Sequence, residues 1–150
     1  MGIDIDETKN DFEKNGGQIL SFLCDGKFYA FELTDVTDII EIPEITKVPR
    51  LPEYICGLIN LRGKAVPVID FRKRLGLAQG HYDDRSCVVV IEIKSAQAGI
   101  ICDRVSDVEN VTSQMISPSP VGGGIIRCFI SSDKKRISLI DCGKIIQKKA

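Results

Sequence analysis

Apolar residues in this chain come in short, strand-like runs broken by turn-forming residues. Residues 18–24 (QILSFLC) and 28–33 (FYAFEL) flank Asp25-Gly26, a strong two-residue hairpin signal because glycine accepts the positive φ that such turns need. Residues 58–61 and 65–69 predict a second hairpin bent at Arg62-Gly63. Asp70 then predicts the N-cap of a short helix over 71–75, which Gly76 ends. Between the hairpins, residues 34–39 predict a single helical turn capped by Thr34 or Asp35, ahead of a run at 40–42 and a Pro43-Glu44 turn.

The pattern occurs twice. A shift of 69 positions lays residues 18–49 over 87–118 without a gap, placing Ile19, Leu20, Phe22 and Cys24 on Val88, Val89, Ile91 and Ile93, and Asp38 on Asp107. The register slips by two at Gly122-Gly123-Gly124, after which Leu58, Val66, Ile69 and Asp70 match Phe129, Ile137, Ile140 and Asp141. Lys94-Ser95-Ala96 replaces the Asp25-Gly26 turn, and Asp141 predicts the cap of a second short helix over 143–147. Each unit is about 60 residues long, a size at which one core is marginal, so the two should pack together. The expected organisation is a flexible N-terminal tail over residues 1–17 and one domain over 18–148, built from units at approximately 18–77 and 86–148. Strand exchange between the units stays open at this level. Many short strands with frequent turns predict an all-β fold with short helices, two small five-stranded barrels packed together, because closure removes exposed sheet edges. Phe22 and Ile69 are predicted core residues.

Composition removes several function classes. The chain has 150 residues, 43% of them hydrophobic, and its 20 Lys and Arg nearly cancel its 21 Asp and Glu, leaving no field to draw in polyanions. No apolar run approaches the roughly 18–20 residues that cross a bilayer, the N-terminus is acidic and polar, and Asp6 stands where a myristoylation signal needs Ser or Thr. The expected setting is cytoplasmic, with membrane association only through a partner. Six cysteines without an export signal or a C-x-x-C pair read as reduced, and five lie in or beside apolar runs, where a free thiol packs as a small hydrophobe. No cofactor, metal or catalytic residue is expected. A thiol-dependent hydrolase would have to recruit the single histidine, His81, from a polar connector to a buried cysteine. A nucleic-acid-binding barrel is the other alternative, resting on Arg72-Lys73-Arg74 and Lys134-Lys135-Arg136; the absence of Trp and the net charge of −1 oppose it, and solvation explains both clusters.

The most informative stretch is residues 51–77, LPEYICGLINLRGKAVPVIDFRKRLGL. Gly57 and Gly63 sit where a Cβ would obstruct a tight bend or a close-approaching backbone. Arg62, at a hairpin tip between apolar strands, presents a guanidinium suited to forking onto a carboxylate or amide of a partner. The segment GLINLRGKAVPVIDFRKRLG, the upstream Phe-x-x-x-x-Leu and Val-x-Asp-Ile, and the downstream GIICDRVSDV together resemble the CheW family of bacterial chemotaxis coupling proteins. The resemblance covers roughly residues 18–146, with Cys102 where valine is usual.

That resemblance implies two SH3-like barrels acting as a non-catalytic scaffold in chemosensory arrays. One surface would bind the CheW-like regulatory domain of the histidine kinase CheA, and another the cytoplasmic tip of a chemoreceptor, a methyl-accepting chemotaxis protein. Positions implicated in receptor contact match Val36, Asp38, Gly57, Arg62 and Gly63, Asp38 standing where the family often has Glu; Ile39 and Asn60 join them as expected receptor or kinase interface. A groove between the barrels lined by Val36 and Ile39, with Asp38 and Arg62 at its rim, would suit a helical hairpin tip. CheW-like domains also serve as regulatory modules of the kinase or are fused to receiver domains. The starting Met1 and the lack of an attached phosphoacceptor, ATPase or receiver segment make a free-standing adaptor the expectation.

Overall fold

The computed structural model describes residues 11–78, 80, 82–119 and 124–146. Among these residues eleven strands and short helices run in the order α1 (residues 11–15), β1 (Gly17–Cys24), β2 (Lys27–Glu32), β3 (Val36–Glu41), β4 (Ile55–Leu61), β5 (Lys64–Asp70), α2 (Phe71–Leu75). The second half continues with β6 (Cys87–Ile93), β7 (Ala96–Cys102), β8 (Arg104–Val111), β9 (Ile116–Pro118), β10 (Ile126–Ser132), β11 (Lys135–Ile140) and α3 (Cys142–Ile146). His81, Gly122 and Gly123 lie outside the described residues.

The strands form two packed sheets, ordered β8-β1-β2-β11-β10-β9 and β3-β6-β7-β5-β4. Under the internal repeat β1, β2, β3, β4 and β5 correspond to β6, β7, β8, β10 and β11, and the two orders superimpose. Each repeat lends its first hairpin to the sheet completed by the other, through parallel pairing of β2 with β11 and of β5 with β7. The sixth strand, β9, has only a single bridge as its counterpart, Thr46 to Leu58.

Burial explains why the lent hairpins read as continuous apolar runs. Val88 and Val90 face a small core with Ile59, Val66, Val68 and Ile101, whereas Val89 and Ile91 face a shared core with Leu20, Phe22, Phe31, Phe71, Ile100 and Ile140. Both faces of β6 are therefore covered, which removes the polar alternation of a half-exposed strand. Phe22 and Ile69 are buried in the shared core.

Four local expectations are corrected. Residues 34–39 do not form a helical turn: a 3-10 turn covers only Leu33–Asp35, without a side-chain cap, and the β-branched Val36, Thr37, Ile39 and Ile40 continue as β3 against β6. The β6–β7 hairpin turns on Lys94 and Ser95 alone, both at positive φ, with Ala96 already in β7; strand pairing imposes there what glycine would have adopted freely. Residues 11–17 of the expected tail are folded, with Phe12 of α1 buried against Ile19, Val111 and Leu139 beneath the Arg127 guanidinium, and residues 1–10 lie outside the described residues. Solvation does not account for Arg72-Lys73-Arg74 either, because Arg74 is buried and donates to the carbonyls of Lys144 and Ile145.

Candidate functional site

The β4–β5 hairpin is short because Arg62 (φ 51°) and Gly63 (φ 83°) make its turn by themselves. Asn60 Oδ1 accepts from the Gly63 N–H at 2.9 Å and so fixes the conformation that aims Arg62. On β3, a bulge between Val36 and Asp38, with Thr37 Oγ1 donating to the Val90 carbonyl, redirects the strand where Asp38 begins.

These two devices bring Asp38 and Arg62 together. Arg62 Nη1 and Nη2 donate to the two carboxylate oxygens of Asp38 at 2.9 and 3.0 Å. The hydrogen bond from Arg62 holds the Asp38 carboxyl below its ordinary value, and the same bond raises the guanidinium's. β3 and β4 are opposite edges of one sheet, so the fork spans the gap as that sheet curls toward closure. The Arg62 side chain remains 74% exposed, leaving most of its donors facing solvent.

The other expected site residues divide between surface and support. Ile39, next to Asp38, is 48% exposed. Val36 instead packs against the shared core, so the expected groove lined by both residues is an edge on which Ile39 is the prominent apolar group. Gly57 is buried at φ 149°, and a Cβ there would stand 2.2 Å from the Thr46 carbonyl oxygen. Its contribution is to let residues 45 and 46 lie across β4, with Thr46 and Leu58 exchanging two 2.8 Å backbone bonds. Gly63 is exposed, and a Cβ there would meet nothing; only its φ calls for glycine, contrary to the expected obstruction.

The second repeat lacks this fork. Asp107 and Asp133 occupy the positions of Asp38 and Arg62, and like charges cannot pair. Glu109 on the edge strand β8 reaches the β10–β11 hairpin instead, Lys135 at 3.2 Å and Ser132 at 2.8 Å. Lys135 also lies over Phe28, and Arg136 over Phe129. Much of the second basic cluster is thereby engaged within the fold.

Sequence reasoning missed a polar strut between the sheets. Arg72 on α2 donates to both oxygens of Asp103 at 3.2 and 2.6 Å and reaches Asp25 at 3.4 Å, while the Asp25 N–H donates to Asp103 at 3.0 Å. Burial pushes the Asp103 carboxyl up, but the bonds from Arg72 and Asp25 outweigh it and hold it low. The signal was a carboxylate ending the apolar run of β7; its partner lay 31 residues away.

Comparisons with known proteins agree with this architecture. The family model for the CheW-like domain matches residues 18–150. The chain is 32% identical over 142 residues to the chemotaxis protein CheW of Bacillus subtilis (strain 168), covering 91% of each chain. It is 30% identical over 134 residues to the chemotaxis protein CheW of Thermotoga maritima, covering 87% of this chain and 88% of that one. Among solved structures, the scaffolding protein TtCheW from Thermoanaerobacter tengcongensis superimposes with a TM-score of 0.79 at 33% identity, over 83% of this chain and 88% of that one.

Proposed function

The chain belongs to the CheW-like domain family, and from that premise we propose that it couples chemoreceptors to the histidine kinase CheA within signalling arrays. It acts by docking, not chemistry: one surface engages the kinase regulatory domain and another the cytoplasmic tip of a receptor, which brings this cytoplasmic protein to membrane-associated arrays. Among the described residues no helix is long and apolar enough to cross a membrane.

The observation that carries this reading is the exposed Asp38–Arg62 fork. Its counterpart Glu109–Lys135 is more buried and closes a sheet edge, which is all that stability asks of such a pair. An exposed fork stabilises little, so its presentation on Asn60, Gly63 and the β3 bulge fits a role in recognition. Arg62 can keep one carboxylate bond while offering its remaining donors to a receptor helix, with Ile39 beside it as an apolar contact. Coupling of about 1–3 kcal/mol between receptor state and kinase equilibrium suffices for such a scaffold.

The test is co-sedimentation with a receptor cytoplasmic tip and with the CheA regulatory domain, followed by kinase activation in reconstituted arrays. Binding to both and activation above kinase alone are expected. A folded chain that binds neither refutes the proposal.

A further inference from the structure

Cys87 opens β6, Cys102 ends β7, and the strand register sets them directly opposite each other. Their sulfurs lie 3.8 Å apart. Opposed residues of an antiparallel pair hold their Cβ atoms about 4.5–5.5 Å apart, close to the roughly 3.5–4.5 Å found across disulfides. A rotation about χ1 with a slight approach of the strand ends brings the sulfurs to bonding distance.

We infer that Cys87 and Cys102 form a modification site, a cross-strand dithiol that a peroxide-class two-electron oxidant converts to an intrachain disulfide. Cys87 is half-buried and gives the oxidant entry, whereas Cys102 is fully buried behind it. The hydrogen bond shared with Cys102 lowers the Cys87 pKa, while burial pushes Cys24 up to about 12 and Cys128 up to about 11. The Cys87 thiolate is therefore the nucleophile.

It attacks one peroxide oxygen, breaking the O–O bond and leaving a sulfenic acid on Cys87 and, after protonation, one water. The Cys102 sulfur then attacks the sulfenic sulfur. The S–S bond forms, the S–O bond breaks, and the hydroxide leaves with the Cys102 proton as a second water. Two thiols are oxidised by two electrons in total, and one peroxide is reduced to two waters. The bond staples β6 to β7 where the chain crosses from one sheet to the other, one residue before Asp103 and its strut to Arg72.

The experiment uses the full chain, reduced, freed of reductant, treated with hydrogen peroxide near neutral pH, then alkylated with N-ethylmaleimide in urea and digested with trypsin without reduction. Cleavage after Arg85, Lys94 and Arg104 places Cys87 in peptide 86–94 and Cys102 in peptide 95–104. These two peptides should appear joined, forming about tenfold or more faster in the folded chain than in urea, and separating on addition of dithiothreitol. Cys87→Ser, at a half-buried position that tolerates the change, should remove the linked species. Oxidised wild type should also melt higher than reduced wild type, with no such shift in Cys87→Ser. Oxidation that stops at sulfinic acid on Cys87 while Cys102 still takes maleimide overturns the inference. So does linkage spread among the cysteines, or linkage no faster than in urea.

Discussion

Arg62 grips both carboxylate oxygens of Asp38 although the two residues belong to opposite edges of the same sheet. They stand twenty-four positions apart in the chain, with all of β4 between them. The same closure in the other sheet falls to Glu109 and Lys135, leaving Asp107 free of that task. One structural need is thus met twice, and only one solution leaves a guanidinium largely in solvent.

Arg62→Ala should lower receptor or kinase binding about tenfold or more and leave the melting temperature nearly unchanged, since exposed pairs contribute little to stability. Arg62→Lys should recover only part of the binding, because an ammonium cannot fork. Titration calorimetry beside circular dichroism melts separates the two effects, and full binding by Arg62→Ala would remove Arg62 from the interface.

The two glycines of the motif should respond differently. Gly57→Ala places a methyl against the Thr46 carbonyl at a φ that side chains avoid and should destabilise by about 3 kcal/mol. Gly63→Ala meets no neighbour and should cost only about 1 kcal/mol for its left-handed backbone. Urea unfolding of both variants is the check; equal costs would mean that close packing at Gly57 is not the constraint.

Arg72→Ala should destabilise by about 1–3 kcal/mol, because Asp103 loses both of its Arg72 hydrogen bonds and two carboxylates are left near each other. Arg72→Lys should restore only part of this. Urea midpoints report it, and an unchanged midpoint for Arg72→Ala would show that the strut does not hold the sheets together.

Stability should also carry a pH signature from Asp35. Burial, reinforced by the nearby Glu32 charge, pushes its carboxyl up from 3.8 to about 6, against opposing effects of Cys142 and Arg127. The folded chain therefore holds this proton to higher pH than the unfolded chain does. The Asp35 contribution to stability accordingly falls as pH rises from about 4 to about 6 and is level above that. Asp35→Asn should flatten this window and raise the melting temperature at neutral pH. Scanning calorimetry of both proteins across that range tests it, and parallel curves would count against the assignment.

The sequence by itself determined the repeated strands, the Asp70 and Asp141 caps, the Arg62-Gly63 turn and the motif that places the chain in its family. These depend on neighbours within a few residues or on a pattern copied twice, so local propensity and self-comparison suffice. Tertiary structure decided the rest. Val36 and Ile39 became strand because β6 offered an edge to pair with, overriding the turn that Thr34 and Asp35 suggested. Arg72 and Arg74 left solvent because Asp103 and the carbonyls of α3 meet them across the molecule. Which hairpin completes which sheet was fixed by parallel pairing between repeats, and the approach of Arg62 to Asp38 by curvature of the whole sheet. Contacts between distant segments carry no local periodicity, so they become legible only once the chain has closed on itself.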